Sequence, residues 1–203
     1  MKLFDGGRAP NPRRTRMFLA EKGIEVPLVP VDMSKGEHKS EAMAERNRLK
    51  RLPVLELDDG TVITESIAIC RYFEALHPDP PLFGRTPVEI ARIEMWQRRA
   101  ELELYSAVAA VFRHGHPGMA AAEPVQIAEW AELNRGRAIE ALRMFEDQLA
   151  DHAFVAGDAF SVADITVFIA AGFMKAAKLE IPEDFTNLKR WYSQIAERPS
   201  ASA

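Results

Sequence analysis

His77-Pro78-Asp79-Pro80-Pro81-Leu82-Phe83-Gly84 is the stretch that most restricts how this chain can fold. Pro78, Pro80 and Pro81 each lack the backbone N–H that a helix or sheet ladder requires, and each locks its own φ. No regular element can run through them, so the chain divides there. The two parts differ in pattern. Residues 1–76 alternate extended and helical runs, whereas almost everything after residue 87 reads as helix. We therefore expect a first domain at 1–76, a linker at 77–86 and an all-α domain at 87–203.

Within the first part, residues 1–4 read as a strand ended by Asp5-Gly6-Gly7. Residues 13–22 place Met17, Phe18 and Ala20 at near-helical spacing, and Gly23 closes the run as a glycine just past a helix end does. Residues 26–31 read as extended, and 40–46 as a short helix. Val54-Leu55-Glu56-Leu57 and Thr61-Val62-Ile63-Thr64 flank Asp59-Gly60, the pair that suits a type I′ hairpin turn. Residues 66–76 put Ile69, Tyr72, Phe73 and Leu76 on one helical face. The order is βαβαββα, an α/β domain.

Beyond the prolines, Pro87 suits a first helical turn, and one helix is expected to about residue 114. Its apolar stripe is Ile90, Ile93, Trp96, Ala100 and Leu104. His116-Pro117-Gly118 breaks it. A second helix is expected at about 124–150 and a last one at about 185–197. A third starts at Ser161, where Ser161 and Asp164 form an S-x-x-D capping box and Phe160 and Ile165 a hydrophobic staple.

Composition narrows the class. Of 203 residues 47% are hydrophobic, enough for real cores, and the net charge of −4 is dispersed. The basic runs at 13–16 and 46–51 are too short for a nucleic-acid or membrane patch. With Cys70 as the single cysteine there is no internal disulfide and no multi-cysteine zinc site. Cys70 falls within the apolar helix 66–76, where a buried structural thiol is expected. His114 and His116, at i and i+2, do not share a helix face, so no metal is expected there. No apolar h-region and no run of roughly 20 apolar residues is present, so the expectation is a cytoplasmic protein with no membrane and no nucleic-acid partner.

The residues with chemistry cluster at 52–66. Pro53 cannot donate to a ladder, so backbone groups near it are left to face a ligand, and an X-Pro bond can be cis. Ser66 opens a helix, where free N–H groups and the dipole favour an anion. Glu65 beside it can pair with an ammonium group, and together they suit an amino-acid head group. The same residues also read as a plain helix cap and a strand-edge breaker.

The stretch 52–69, Leu52-Pro53-Val54 through Thr64-Glu65-Ser66 to Ile69, resembles the glutathione-site signature of cytosolic glutathione transferases. The resemblance extends over nearly the whole chain: a thioredoxin-like βαβαββα domain, a Pro-rich linker and an all-α C-terminal domain carrying the box at 160–165. It implies glutathione as co-substrate and a homodimer. It further implies that Pro53 is the family's cis-proline and that Val54, after Leu52-Pro53, meets the cysteinyl part. Glu65 and Ser66 would hold the γ-glutamyl head, and His38 and Lys39 the glycyl carboxylate.

Family members place Tyr, Ser or Cys near the first strand–helix junction, but here Ala9 stands where the serine or cysteine would be. Pro10-Asn11 is similar to bacterial nu-class-like and fungal Asn-type members, in which an Asn lies near the glutathione sulfur. Nu-class-like members have Thr at the position of Ala9. On this resemblance Asn11 favours thiolate over thiol by donating its amide, with Arg13 or Arg14 adding positive potential. Tyr105, Phe112 and Arg113 would line the electrophile pocket. The expected function is conjugation of glutathione to small hydrophobic electrophiles. The alternatives are a glutathione-dependent disulfide reductase or peroxidase, and a non-catalytic glutathione-binding regulatory protein.

Overall fold

The computed structural model describes all 203 residues and divides into two compact units, Met1–Pro81 with Pro199–Ala203, and Leu82–Arg198. The first unit is built on a four-stranded sheet of order β2-β1-β3-β4, from β1 (Lys2–Asp5), β2 (Leu28–Pro30), β3 (Val54–Glu56) and β4 (Val62–Thr64). β1 and β2 are parallel, and β1–β3 and β3–β4 antiparallel. The central strands are the apolar ones, with Leu3, Val54 and Leu55 wholly buried. β2 is an edge strand, where Pro30 leaves no ladder donor unpaired. It is shorter than the expected 26–31: its register with β1 spans Leu28, Val29 and Pro30, with Pro27 and Val31 each adding one backbone hydrogen bond to β1 at its ends.

Three helices complete this unit: α1 (Pro10–Glu21), α2 (Glu41–Arg46) and α3 (Ser66–Leu76). The register pair Phe4 and Val54 clusters with Val31, Met43 of α2 and Leu52. The next pair, Leu3 and Leu55, points to the opposite face by strand alternation. Helices α1 and α3 pack together, with Met17, Phe18, Ile69, Cys70 and Phe73 buried. The Lys22 ammonium, its side chain wholly buried, is paired with Glu74 and donates to the carbonyls of His77, at 2.7 Å, and Pro80. It thereby ties the end of α1 to α3 and to the proline segment.

The linker expected at 77–86 is not uniform. Leu82 and Phe83 are buried at 3% and 4% exposure, and the second unit begins at Leu82. Gly84 follows at φ +85, where a Cβ would come within 2.9 Å of the Glu89 backbone, so only glycine fits. The tail expected to close the all-α domain returns to the first unit. Arg13 donates to the Ala201 carbonyl at 2.8 Å, and Ser200 hydrogen-bonds Glu21.

The second unit is all helical. α4 (Pro87–Arg99) opens with a capping box of Thr86 and Glu89, and α5 (Ser106–Gly115) continues it. The single helix expected over 87–114 is interrupted by a π-helical segment, Ala100–Tyr105, whose Glu101 carbonyl accepts both the Ser106 backbone N–H and, at 2.8 Å, the Ser106 hydroxyl. Trp96, Ala100 and Leu104 of its stripe are buried, whereas Ile90 is 41% exposed, because burial begins only where later helices pack on the stripe.

α6 (Ala128–Asp151) starts about four residues later than expected. The preceding residues are otherwise engaged: the Gln126 amide donates to the carbonyls of Arg113 and His116, and Ile127 N–H donates to His114 Nδ1. α7 (Val162–Met174) has eleven of thirteen residues buried, and α8 (Thr186–Ala196) takes its N-terminal cap from the Glu146 carboxylate.

Asp164 organises this unit. Its wholly buried carboxylate accepts from Val155 N–H (2.8 Å) and Trp191 Nε1 (3.0 Å) on one oxygen, and from Ser161 N–H (3.0 Å) and Oγ (2.9 Å) on the other. The start of α7, the 153–157 loop and α8 thus meet on one side chain. Burial pushes its carboxyl up to about 6, although the four donors pull it down. The native state therefore holds a proton more tightly than the unfolded chain. This group's stabilising contribution is fullest below about pH 4 and is lost as the pH rises through about 6. Asp164→Asn sets an amide N–H₂ against donors and should cost roughly 3 kcal/mol in denaturant unfolding at neutral pH. It should also remove a step from the pH dependence of unfolding between about 4 and 6; an unchanged profile would refute the assignment.

Candidate functional site

The sheet register builds the site. Val54 pairs with Phe4 on one side and Thr64 on the other, so the end of β1, the start of β3 and the end of β4 lie along one edge. Leu52 and Pro53, joined by a cis peptide, stand there beside Glu65 and Ser66. The loop to α1 leaves from the same edge. Because β2 runs parallel to β1, so does the loop carrying His38 and Lys39. Gly6 lies where a Cβ would meet the Leu52 side chain at 3.1 Å and Pro12 at 3.3 Å, so the loop packs directly on the strand end. Asn47, also buried, holds the approach to Leu52 by donating to the Arg51 carbonyl at 2.8 Å and accepting from Leu49 N–H at 3.0 Å.

Glu65 is the N-cap residue of α3 and takes φ +66, ψ +119, a conformation that costs an L-residue on the order of 1–3 kcal/mol and is kept where the surroundings or a ligand demand it. Glu65 is exposed, and its carboxylate takes part in no hydrogen bond or ion pair within the protein. Ser66, 2% exposed, begins the helix, and the first-turn N–H groups of Ser66, Ile67 and Ala68 have no partner inside α3. An exposed carboxylate beside an anion-accepting helix end offers both charges that a free amino-acid head group needs.

α1 begins at Pro10, with Ala9 as an N-cap that offers no side-chain hydrogen bond. Asn11 is therefore inside the first turn and is neither cap nor turn residue. Of residues 10–12, only Asn11 has a backbone N–H. Its side-chain Oδ1 accepts from Arg14 Nη2 at 3.0 Å. Arg14 is buried to 5% exposure and donates to Ser66 Oγ from Nε at 3.1 Å and from Nη2 at 2.6 Å. One guanidinium thus joins Asn11 to Ser66. The i,i+3 spacing of Asn11 and Arg14 was readable in sequence. The contact with Ser66, 52 residues away, carried no sequence signal. Arg13, the other cation considered for this role, is turned to the tail at Ala201.

His38 sits in a one-turn 3₁₀ helix, Glu37–Lys39, after Gly36 at φ +75. Burial first, and the charge of Lys39 second, hold its imidazole below the ordinary range, so it is neutral at pH 7. Its Nδ1 is buried without a hydrogen-bond partner. Lys39 is exposed.

In the second unit Tyr105 and Phe112 meet on Phe173, with ring centroids at 6.2 and 5.1 Å, and His116 lies 5.1 Å from Phe112. All are partly buried, so the cluster offers aromatic surface. Arg113 is turned to Glu123, at 3.5 Å, and to the loop before α6. A separate groove of about 920 Å³, lined by Ile139, Leu179 and the cations Arg135, Lys175, Lys178 and Lys189, includes none of these residues. The two histidines each use Nδ1 to accept a backbone N–H, and no group of three metal-ligating side chains is present.

Glu65 gives the cleanest test of the candidate head-group site, because its carboxylate holds no hydrogen bond or ion pair in the fold. If the expected ligand is glutathione with its amino group on Glu65, Glu65→Gln should weaken its binding about tenfold by calorimetry, the loss of one charge-assisted hydrogen bond, with no change in Tm. Unaltered affinity would remove Glu65 from the site.

Comparison with known proteins shows the family. Residues 9–76 match the family described as glutathione S-transferase, N-terminal domain, and residues 119–199 match glutathione S-transferase, C-terminal domain. Glutathione S-transferase 2 of Saccharomyces cerevisiae is 41% identical over 203 residues, covering 98% of this chain and 87% of the relative. The crystal structure of Gtt2 from the same yeast superposes with a TM-score of 0.94 at 40% identity, covering 100% of this chain and 99% of that one. A glutathione S-transferase domain-containing protein of Marinobacter aquaeolei superposes at 0.95 with 39% identity, covering 98% and 99%. Identity at this level along essentially the full length, with the same fold in both units, means that the chain belongs to the glutathione S-transferase family.

Proposed function

We propose that this transferase holds glutathione along the edge formed by Leu52, Pro53, Val54, Glu65 and Ser66, with His38 and Lys39 toward the glycyl carboxylate, and that Asn11 stabilises the thiolate. The observation that carries the reading is the fixed Asn11 amide: its oxygen is taken by Arg14, which leaves Nδ2 as the group presented to a ligand. An N–H donor lowers the energy of a thiolate and does little for a thiol, so the thiol ionises closer to neutral pH than its free value of about 8.5. The α1 N-terminus and the Arg14 charge act in the same direction.

The chemistry needs no acid or base held by the enzyme beyond this. The thiol proton leaves to solvent. The sulfur lone pair forms a bond to an electrophilic carbon, and the leaving group departs with its bonding pair. Tyr105 and Phe112, with Phe173, supply an apolar surface suited to a small hydrophobic acceptor. The enzyme's contribution is binding, orientation and thiolate stabilisation.

Ultraviolet titration of the glutathione complex measures the thiol directly. Asn11→Ala should raise the bound thiol's pKa by about one unit and lower kcat for a model aryl halide about tenfold at pH 6.5, where less thiolate then forms. The same titration curve in both proteins would dismiss Asn11 from the mechanism.

We also infer a cytoplasmic homodimer. No helix is long and apolar enough to cross a membrane, and the lone Cys70 is buried. Val88 (66% exposed), Met95 (42%) and Leu102 (55%) leave an apolar line on α4 and the π segment that a second copy would cover. Met95→Glu should shift sedimentation toward the monomer, and an unchanged sedimentation coefficient would place the interface elsewhere.

A further inference from the structure

We propose that Arg14 is a positioning residue that sets the hydrogen-bond polarity of both ends of the glutathione site; the proposal rests on the reading of Asn11 above. Its location is costly. Arg14 is almost fully buried within the first helical turns of α1, where desolvation and the positive end of the helix dipole both disfavour a cation. Helix stability therefore does not account for it, and its contacts do.

A guanidinium only donates, so every group it touches must accept. The two hydrogens on Nη2 are divided between Ser66 Oγ at 2.6 Å and Asn11 Oδ1 at 3.0 Å, and the Nε hydrogen adds a second bond to Ser66 Oγ at 3.1 Å. Two donors occupy both lone pairs of the Ser66 oxygen. Its own hydrogen must then point away from Arg14 and serve a carboxylate alongside the free N–H groups of α3. At the other end, the Asn11 oxygen is claimed and the amide cannot rotate to present it to the sulfur. An amide is free to flip by half a turn when nothing distinguishes its two ends, and the flipped form would set an oxygen against a thiolate. A single buried side chain thus makes Ser66 and Asn11 donors to the ligand, although 55 positions separate them in sequence. A lysine would keep the charge but, as a point donor without the planar fork, not the geometry.

Arg14→Lys separates charge from geometry, and two ligands separate the ends of the site. Ultraviolet titration of bound glutathione reports the thiol. Calorimetry with S-methylglutathione, which has no thiol, reports the glutamyl end. Arg14→Lys should raise the bound thiol pKa by about one unit and weaken S-methylglutathione about tenfold. Adding Arg14→Lys to Asn11→Ala should raise the thiol pKa no further, because Arg14 acts on the sulfur through Asn11. Wild-type values in Arg14→Lys, or an effect as large in the Asn11→Ala background as in the wild type, would overturn the proposal. An unchanged thiol pKa in Asn11→Ala alone would instead overturn the reading of Asn11, and is recognised from that single variant.

Asn11→Asp supplies a second test that leaves Arg14 in place. The fork still claims one carboxylate oxygen, so the other must meet the sulfur, and the thiol pKa should exceed that of Asn11→Ala. A value no higher than in Asn11→Ala would mean that Arg14 does not orient the side chain at position 11, and would overturn the proposal.

Discussion

The pairing of Val54 with both Phe4 and Thr64 is the constraint on which the binding unit depends. Side chains on a strand alternate with a period of two, so a slip of one residue would carry Val54 and Phe4 out of their cluster with Met43 and Val31. The same slip would move Pro53 away from Glu65, and the proposed head-group site would come apart. Core and site thus share one register. The apolar residues that select the pairing also decide which polar residues meet at the sheet edge.

Two buried charged side chains show opposite uses of a costly group. Asp164 is surrounded by four donors from three segments of the helical unit, and its role is to join them. Its cost shows in its proton affinity, which burial raises despite those bonds. Arg14 is buried where the helix dipole opposes it, and two of its partners, Ser66 and Asn11, belong to the proposed ligand site. In the proposed role it serves recognition at the expense of local stability, the exchange expected where a fold must hold donors ready for an anion. Lys22 is a third case, closer to Asp164: it is spent on the carbonyls of the proline segment and on Glu74.

Much of this was legible in sequence because local chemistry dictates it. Asp59-Gly60 between two β-prone runs specifies a hairpin, Ser161 with Asp164 announces a helix start, and Pro78, Pro80 and Pro81 end one domain. The motif at 52–66 identified the ligand class and the family. Less was legible where a residue's role depends on distant partners. The π segment at Ala100–Tyr105 interrupts a pattern that reads as one straight helix, and the late start of α6 follows from Gln126 being claimed by Arg113 and His116. Residues 199–203 read as the end of the helical domain but are held by Arg13 and Glu21 of the first unit.

The sequence by itself determined the element order and the division at the prolines, since each rests on neighbours a few positions apart, while the glutathione site was read from the resemblance of residues 52–66 to a family signature. How the proposed site is polarised is set by tertiary structure alone. Whether Asn11 presents an N–H or an oxygen, and whether Ser66 gives or receives a hydrogen bond, depends on a guanidinium that reaches across 52 residues to the start of α3. Hydrogen-bond direction is a property of assembled partners, and a linear sequence does not contain it.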